Sequence, residues 1–499
     1  MDLADFRNQI DEIDQELMAL FRRRMETVEQ IAAYKEQHGL PVYDPHREEE
    51  KRTALLAQLP PALRDDAGTL LTCLFTLSKA HQSRHAAMPR RCGLLGRRLA
   101  HSYSPAIHAR LGSYEYRLFQ REPEELEAFL REGAWDGLNV TIPYKQAAAA
   151  CCDRLSPLAQ RLGSVNTLVR CPDGSLYGDN TDAWGFGEAF RRLHVGCTGK
   201  KALVLGSGGA SVTVQAVLRQ LGAQVVVISR TGADNYENLD RHRDAAILIN
   251  ATPVGMYPDN GESPLALDRL PRLEAVFDLI YNPARTRLLL EAEARGIPCS
   301  NGLTMLVAQA VAAEERFFNR SIPAGENERI LVQLRREMTN LILIGMPGSG
   351  KTTVGEALSR LTGREAVDLD QMIETTAGCS IPEIFQREGE SGFRARERAA
   401  AEEAGKRTGV ILLTGGGIIK TAENYAALHQ NGRIYQLVRD LSLLPTEGRP
   451  LSQGADLAAM WRERAPLYAR FRDVEIDNSG TVEDTAAAIW RDFCAHSGS

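Results

Sequence analysis

The chain has 499 residues, 43% of them apolar and 25% charged, with a formal net charge of −6. That length predicts about two to four domains, and the mild acidity argues against a nucleic-acid or membrane-surface partner. With no apolar run near the ~18 residues of a membrane span, a start (MDLADFRNQIDEID) unlike a targeting peptide and nine scattered cysteines lacking C-x-x-C, a cytoplasmic protein without disulfides or zinc is expected.

Residues 1–88 carry no strand pattern. Leu3, Phe6, Ile10, Ile13, Leu17, Leu20, Val28 and Ile31 recur at three–four spacing between the capping residue Asp2 and Gly39. They predict a helix roughly 55 Å long at 1.5 Å per residue. Two shorter helical patterns follow, over 45–58 and 61–84. Three helices cannot bury so long a stripe, so a homodimer through this region is expected. From Arg91 short strands alternate with helices: CGLLG, YEYRLF and DGLNVTI, then, after the turn Gly196–Gly199, KALVLG, QVVVIS, AAILINAT and AVFDLIY. This is a two-lobed α/β region over 89–338. A polar stretch at 319–328 and a charged helix lead to a last α/β region over 339–499. The expected fold is therefore multidomain: all-α, then two-lobed α/β, then α/β.

The sharpest motif opens the last region. Leu341–Ile344 reads as a buried strand and runs into Gly345-Met-Pro-Gly348-Ser-Gly350-Lys351-Thr352-Thr353, followed by helical periodicity. Strand, glycine loop and helix in that order make a P-loop. Backbone N–H groups wrap a phosphate chain at a helix N-terminus, Lys351 reaches the β/γ-phosphates and Thr352 serves Mg²⁺. In the middle region, KALVLG leads into Gly206-Ser-Gly208-Gly209-Ala210-Ser211, again between strand and helix. Ser211 occupies the third glycine position of a dinucleotide loop. The next strand ends in Ser229-Arg230-Thr231, with no carboxylate for a ribose 2′-hydroxyl and a guanidinium suited to a 2′-phosphate, which favours NADP.

Asn139-Val-Thr141-Ile-Pro143-Tyr-Lys145 and Gly178-Asp-Asn-Thr-Asp182 lie upstream, with Ser102–Pro105, Val165–Thr167, Asn250–Met256 and Gly302–Gln309. On these motifs, 89–338 resembles shikimate dehydrogenase. The resemblance implies a substrate lobe over 89–195, an NADP lobe over 196–300 and C-terminal helices over 301–338. It places Lys145 and Asp182 beside the reacting oxygen of 3-dehydroshikimate. Ser102 and Ser104 would hold the substrate carboxylate, and Thr141, Asn166, Tyr281 and Gln309 its hydroxyls. A lysine ammonium oriented by a carboxylate can protonate the alkoxide that hydride delivery creates.

In the last region Asp368-Leu-Asp370, Gly389–Glu397, Gly415-Gly416-Gly417 and Arg449-Pro-Leu451 resemble shikimate kinase. The resemblance implies Asp368 for Mg²⁺, Asp370 as base for the attacking hydroxyl, Arg394 and Arg464 as clamps on the substrate carboxylate, and Arg449 in a lid over ATP. The lid is short and lacks the additional arginine that many relatives carry before R-P-L.

On the long helix, Arg24 and Lys35 fall within roughly 20° of each other, while Arg7 lies roughly 100° round and about 25 Å away. Arg24 and Lys35 can share one site; Arg7 must serve another, across a dimer. With F-R-x-x-I-D-x-I-D and Asp44-Pro-His-Arg47-Glu48, residues 1–84 resemble the all-helical chorismate mutases. That resemblance assigns Arg7, Arg24 and Arg47 to charge clamping, Lys35 and Gln82 to the ether oxygen, and Asp44, Glu48 and Ser78 to the hydroxyl and supporting bonds. The alternative is a chorismate- or prephenate-sensing dimerisation module.

Overall fold

The three–four stripe folds as a single helix, α1 (Leu3–Gln37). Then come α2 (Pro45–Ala57) and α3 (Arg64–His85), the latter preceded by a 3-10 turn over Pro61–Leu63. The computed structural model describes residues 3–37, 45–85, 91–99, 102–112, 114–443 and 457–496. The expected ends of the long helix at Asp2 and Gly39 lie outside the described residues. The chain divides into two compact units, Met1–Asn180 with Ala310–Pro323, and Thr181–Gln309 with Ala324–Ser499.

In the first unit a sheet holds β1 (Arg91–Gly96), β2 (Glu115–Gln120), β3 (Gly137–Val140), β4 (Arg154–Leu155), β5 (Thr167–Arg170) and β6 (Leu176–Asp179), in the order β2-β1-β3-β5-β6-β4. β5 runs antiparallel to both β3 and β6. Leu95, Trp135, Leu138 and Leu168 pack beneath it.

The second unit contains two fully parallel sheets. One holds β7 (Lys201–Leu205), β8 (Gln224–Ile228), β9 (Ile247–Asn250), β10 (Ala275–Asp278) and β11 (Cys299–Ser300), in the order β11-β10-β9-β7-β8. The other holds β12 (Asn340–Gly345), β13 (Ala366–Asp368), β14 (Ile411–Leu413), β15 (Gly432–Val438) and β16 (Val474–Asp477), in the order β13-β14-β12-β15-β16. Every residue of β12 is buried, as a central strand covered on both faces requires. Its odd-numbered side chains pack with Val354, Tyr435 and Ile489. Ile342 and Ile344 pack on the other face with Leu412, Leu428 and Tyr468. In such sheets ligands bind beyond the carboxyl ends of the strands, where the strand order reverses. Both glycine loops follow the strand next to that reversal, β7 and β12.

The charged helix expected ahead of the P-loop is Glu326–Met338. It starts inside the stretch read as polar linker, because Glu326 and Glu328 occupy its first turn, where the helix dipole favours acids.

Candidate functional sites

The P-loop has the backbone its glycines imply. Gly345, Gly348 and Gly350 have φ of 151°, 86° and 89°. A Cβ on Gly350 would lie 2.6 Å from Asn478 Nδ2, which itself donates to Ser349 O at 2.7 Å. The Lys351–Thr362 helix starts directly after Gly350. Lys351 Nζ donates to the carbonyls of Gly345 (3.0 Å) and Met346 (3.2 Å), holding its ammonium over the loop. Beside the loop, Met346, Ser349, Leu437, Arg439, Trp461 and Ser479 line a cavity of about 290 Å³. A left-handed glycine loop, a lysine folded over it and a neighbouring cavity fit a nucleotide polyphosphate.

Residues far apart in sequence converge next to this loop. Asp368 caps the Leu369–Ala377 helix, accepting from the N–H groups of Asp370 (2.9 Å) and Gln371 (3.4 Å). Burial, then the charge of Asp368, pushes the Asp370 carboxyl up, against the opposing pull of Lys351 and Arg394. A Cβ on Gly415 would sit 2.9 Å from Asp370 Oδ1, and one on Gly417 2.6 Å from Arg394 Nη1. The glycines therefore leave room for these side chains. Arg394 donates to Glu397 Oε2 (2.6 Å) and Glu390 Oε1 (3.2 Å). Arg464 Nη1 and Tyr468 Oη both donate to Gly416 O, at 3.1 and 2.7 Å. Among the described residues, the buried Nε atoms of Arg394 and Arg464 have no hydrogen-bond partner. Two guanidinium groups, each with a buried donor left over, suit an acidic ligand.

At the other glycine loop, Gly206 has φ of 97°, and a Cβ on Gly208 or Gly209 would meet nothing within 4 Å. Open ground therefore lies at the N-terminus of the Gly209–Gln220 helix, as a pyrophosphate requires. The departure at Ser211 has a local reason. Its fully buried side chain donates to Gly206 O at 2.6 Å, closing the turn from within. Ser229 N donates to Asp234 O at 3.2 Å, and Arg230 is exposed two residues beyond β8. Open space at this helix N-terminus and an exposed guanidinium after β8 fit a dinucleotide with an anionic end.

In the first unit, the edges of β3, β5 and β6 collect the polar motifs. Val140 N donates to Asn166 O (2.7 Å), Asn166 N to Asp179 O (3.1 Å) and Val165 N to Lys145 O (2.9 Å). Thr141, Asn166 and Lys145 are thereby tied to one edge, with Lys145 opening the Lys145–Ala150 helix. Ser104 N donates to Ser102 Oγ at 3.2 Å, and the buried Ser104 starts the Ser104–Leu111 helix. Asp182 and Gln309 belong to the second unit. There Gly185 lets the Thr181–Arg191 helix approach Leu303–Phe318, since a Cβ would meet Met305 O at 2.6 Å and Gln309 N at 3.1 Å. Asp182 lies three residues before that contact and Gln309 in it. Tyr281 follows β10.

In the helical region, Arg24 is half-buried and donates to Ser78 Oγ and to Leu74 O (3.2 Å) of α3; burial pulls its guanidinium down. Arg7 is exposed, seventeen residues back along α1. Asp44 and Arg449 lie outside the described residues, as do the side chains of Lys35, Arg47, Glu48 and Gln82.

Three families match this sequence: chorismate mutase type II over 6–83, the shikimate dehydrogenase substrate-binding domain over 94–168, and shikimate kinase over 347–493. A Methanopyrus kandleri shikimate dehydrogenase (NADP(+)) is 39% identical over 278 residues, 49% of this chain and 95% of that protein. The chain belongs to the shikimate dehydrogenase family. A Thermus thermophilus shikimate dehydrogenase (NADP(+)) is 42% identical over 242 residues, 45% of this chain and 90% of that one. A chorismate mutase/shikimate 5-dehydrogenase fusion from Clostridium acetobutylicum is 34% identical, covering 50% of this chain and 98% of its own, with a TM-score of 0.47. With mutase and kinase domains at either end of its dehydrogenase, the chain is a multifunctional enzyme of aromatic amino-acid biosynthesis.

The sequence left several residues of these sites without a role. In the kinase domain Glu397, 1% exposed, is the buried counter-ion of Arg394; spacing of three on a helix was the available signal. Tyr468 had no such signal. In the dehydrogenase domain Asp179 accepts from Ser156 Oγ (2.6 Å) and Arg316 Nε (2.8 Å). Burial alone would raise its carboxyl, but these bonds hold it below the usual range. Asp278 accepts from Asn250, Ile280 and Thr286, and burial pushes it up to about 6.

Proposed function

We propose that the chain rearranges chorismate to prephenate, reduces 3-dehydroshikimate to shikimate with NADPH, and phosphorylates shikimate with ATP. The observation that carries this reading is the convergence of Asp370, Arg394, Glu397 and Arg464 on the Gly415–Gly417 corner beside the P-loop. When bound, NADPH supplies the hydride and ATP with Mg²⁺ the phosphoryl group.

In the kinase, Arg394 and Arg464 bind the shikimate carboxylate and Asp370 takes the proton of the attacking hydroxyl. Thr352 and Asp368 would hold Mg²⁺. Among the described residues no group of three or more His, Cys, Asp or Glu could hold a metal, and two protein oxygens completed by phosphates and water are an ordinary Mg²⁺ set. In the dehydrogenase, Lys145 protonates the oxygen at C3, with Asp182 orienting its ammonium. Ser102 and Ser104 bind the carboxylate, and Thr141, Asn166, Tyr281 and Gln309 the hydroxyls. Ser229, Arg230 and Thr231 bind the 2′-phosphate end of the cofactor. In the mutase, Arg7, Arg24 and Arg47 hold a folded dicarboxylate, and Lys35 and Gln82 stabilise charge on the ether oxygen.

The working domains are 1–88, 89–338 and 339–499. The protein is a homodimer through the first, a reading supported by exposed Phe6, Ile10, Ile13, Leu17 and Leu20 along α1. A cytoplasmic location is supported by nine scattered cysteines with no C-x-x-C spacing. The test is to assay all three reactions on one purified sample. A reaction with no turnover removes its third of the proposal; chorismate binding without turnover in calorimetry would make the helical region a sensor.

A further inference from the structure

The dehydrogenase loop after β10, Tyr281-Asn-Pro-Ala-Arg-Thr286, is held from two sides. From its own domain, Asp278 Oδ2 accepts from Thr286 Oγ1 (2.7 Å), Asn301 Nδ2 donates to Ala284 O (2.8 Å) and Tyr257 N donates to Asn282 O (3.0 Å). Arg285 Nε also donates to Glu293 Oε1 (3.1 Å) of that domain, and a second set of bonds goes to the kinase domain. Ala284 N donates to Asn431 Oδ1 (2.8 Å) and Arg285 N to Gln430 O (2.8 Å). Arg285 Nη1 reaches His429 O (3.2 Å), and Asn260 Nδ2 reaches Gln430 Oε1 (2.7 Å).

The kinase side is rigid. Asn431 is 2% exposed. Its Nδ2 donates to Gly405 O (3.1 Å), and its carbonyl accepts from Asn340 N of β12 (2.8 Å). Two successive backbone N–H groups of a dehydrogenase loop thus find their acceptors on a buried kinase segment. Amides satisfied by fixed protein groups hold a loop more tightly than amides satisfied by water.

We infer that His429–Asn431 of the kinase domain is a positioning element of the dehydrogenase substrate site, fixing the loop that presents Tyr281; this rests on the reading that Tyr281 contacts the substrate. The kinase domain is then part of the dehydrogenase's working structure, and Asn431 is its central positioning residue. A side chain displaced by about an ångström loses much of its contribution to binding and orientation.

The test uses the full-length protein and shikimate oxidation with NADP. Asn431→Ala removes the acceptor of Ala284 N–H, and the dehydrogenase KM for shikimate should rise about three- to tenfold, more than kcat falls. Asn431→Asp keeps an acceptor oxygen toward Ala284 while giving up the donor to Gly405, and should restore that KM. If Asn431→Asp fails as badly as Asn431→Ala, Asn431 is only a kinase structural residue and the inference is overturned. Asn260→Ala with Arg285→Ala removes two of the contacts from outside the kinase core, so it reads the same KM shift should Asn431 variants not fold. An unchanged KM in that double variant also overturns the inference. Tyr281→Phe is measured in parallel. A raised KM there with unchanged clamp variants refutes the clamp alone; an unchanged KM there refutes the substrate-site reading, and the inference with it.

Discussion

The N-terminal helical region and the kinase domain use charge in opposite surroundings. In the kinase domain the half-buried Arg394 and the buried Glu397 and Arg464 gather around a glycine corner, and each is held by residues of the same chain. In the helical region Arg24 has partners on α3, but Arg7 is exposed on a helix whose Ile10 and Ile13 are each 57% exposed. Burying two such isoleucines fully stabilises by about 1.5–3 kcal/mol each, an incentive for a second copy to cover them. On the proposed reading, the kinase clamp draws on one chain and the mutase site on two. An anion site can be closed by loops around buried cations, whereas a single long helix cannot bring residues about 25 Å apart to one ligand.

The largest effect that can break this comparison is at Asp370. Asp370→Asn should lower shikimate phosphorylation by about a hundredfold or more, with nucleotide binding kept through Gly345–Thr352 and the mutase unaffected. Near-normal phosphorylation by the variant would remove Asp370 as the base.

A second test addresses the helical region. Arg7→Ala and Arg24→Ala proteins should each be nearly inactive as mutases. Mixed under subunit exchange, a heterodimer should recover up to about half the activity, because both lesions can fall in one of its two symmetric pockets. Tagged heterodimers without recovery would show that each chain has its own site, and the kinase contrast would collapse. Kinase activity should be the same in all of these mixtures.

A smaller effect sharpens the kinase side. Glu397→Gln removes the charge that orients Arg394, so the KM for shikimate should rise about tenfold while that for ATP stays put. Equal changes in both constants would mean a general loss of structure.

The smallest effect is in pH. The Asp370 carboxyl is raised by burial and by Asp368, and only its ionised form accepts a proton. Kinase kcat/KM should therefore fall as pH drops through a value above the ordinary carboxylate range. Mutase activity held by guanidinium groups, which stay charged, should be flat through that interval. Coincident acid limbs for both reactions would point to unfolding instead.

Much of the kinase site was legible because a P-loop needs a particular backbone and leaves a fixed glycine spacing, from Gly345 to Gly350. The helical region was legible as helices from the spacing of Leu3 to Ile31, since apolar periodicity records burial. β5 and β6 were not foreseen as strands. They are four residues long and carry Thr167 and Asp179 at their ends, too short and polar for an alternating pattern. Glu397 closes the Gly389–Glu397 motif but carries no role in the sequence, because burial of a charge is decided by what packs over it.

By itself the sequence determined the order of the three family regions, the two glycine loops and the residue types available to each candidate site. These are local matters of φ, of strand-to-helix succession and of side-chain chemistry. Only the tertiary structure decided that Ser211 closes on Gly206, that Arg464 and Tyr468 share the carbonyl of Gly416, and that Asn431 of the kinase receives an N–H from Ala284. Each of these joins groups whose meeting depends on how elements pack, and no pattern along the chain encodes which buried donor will find which acceptor.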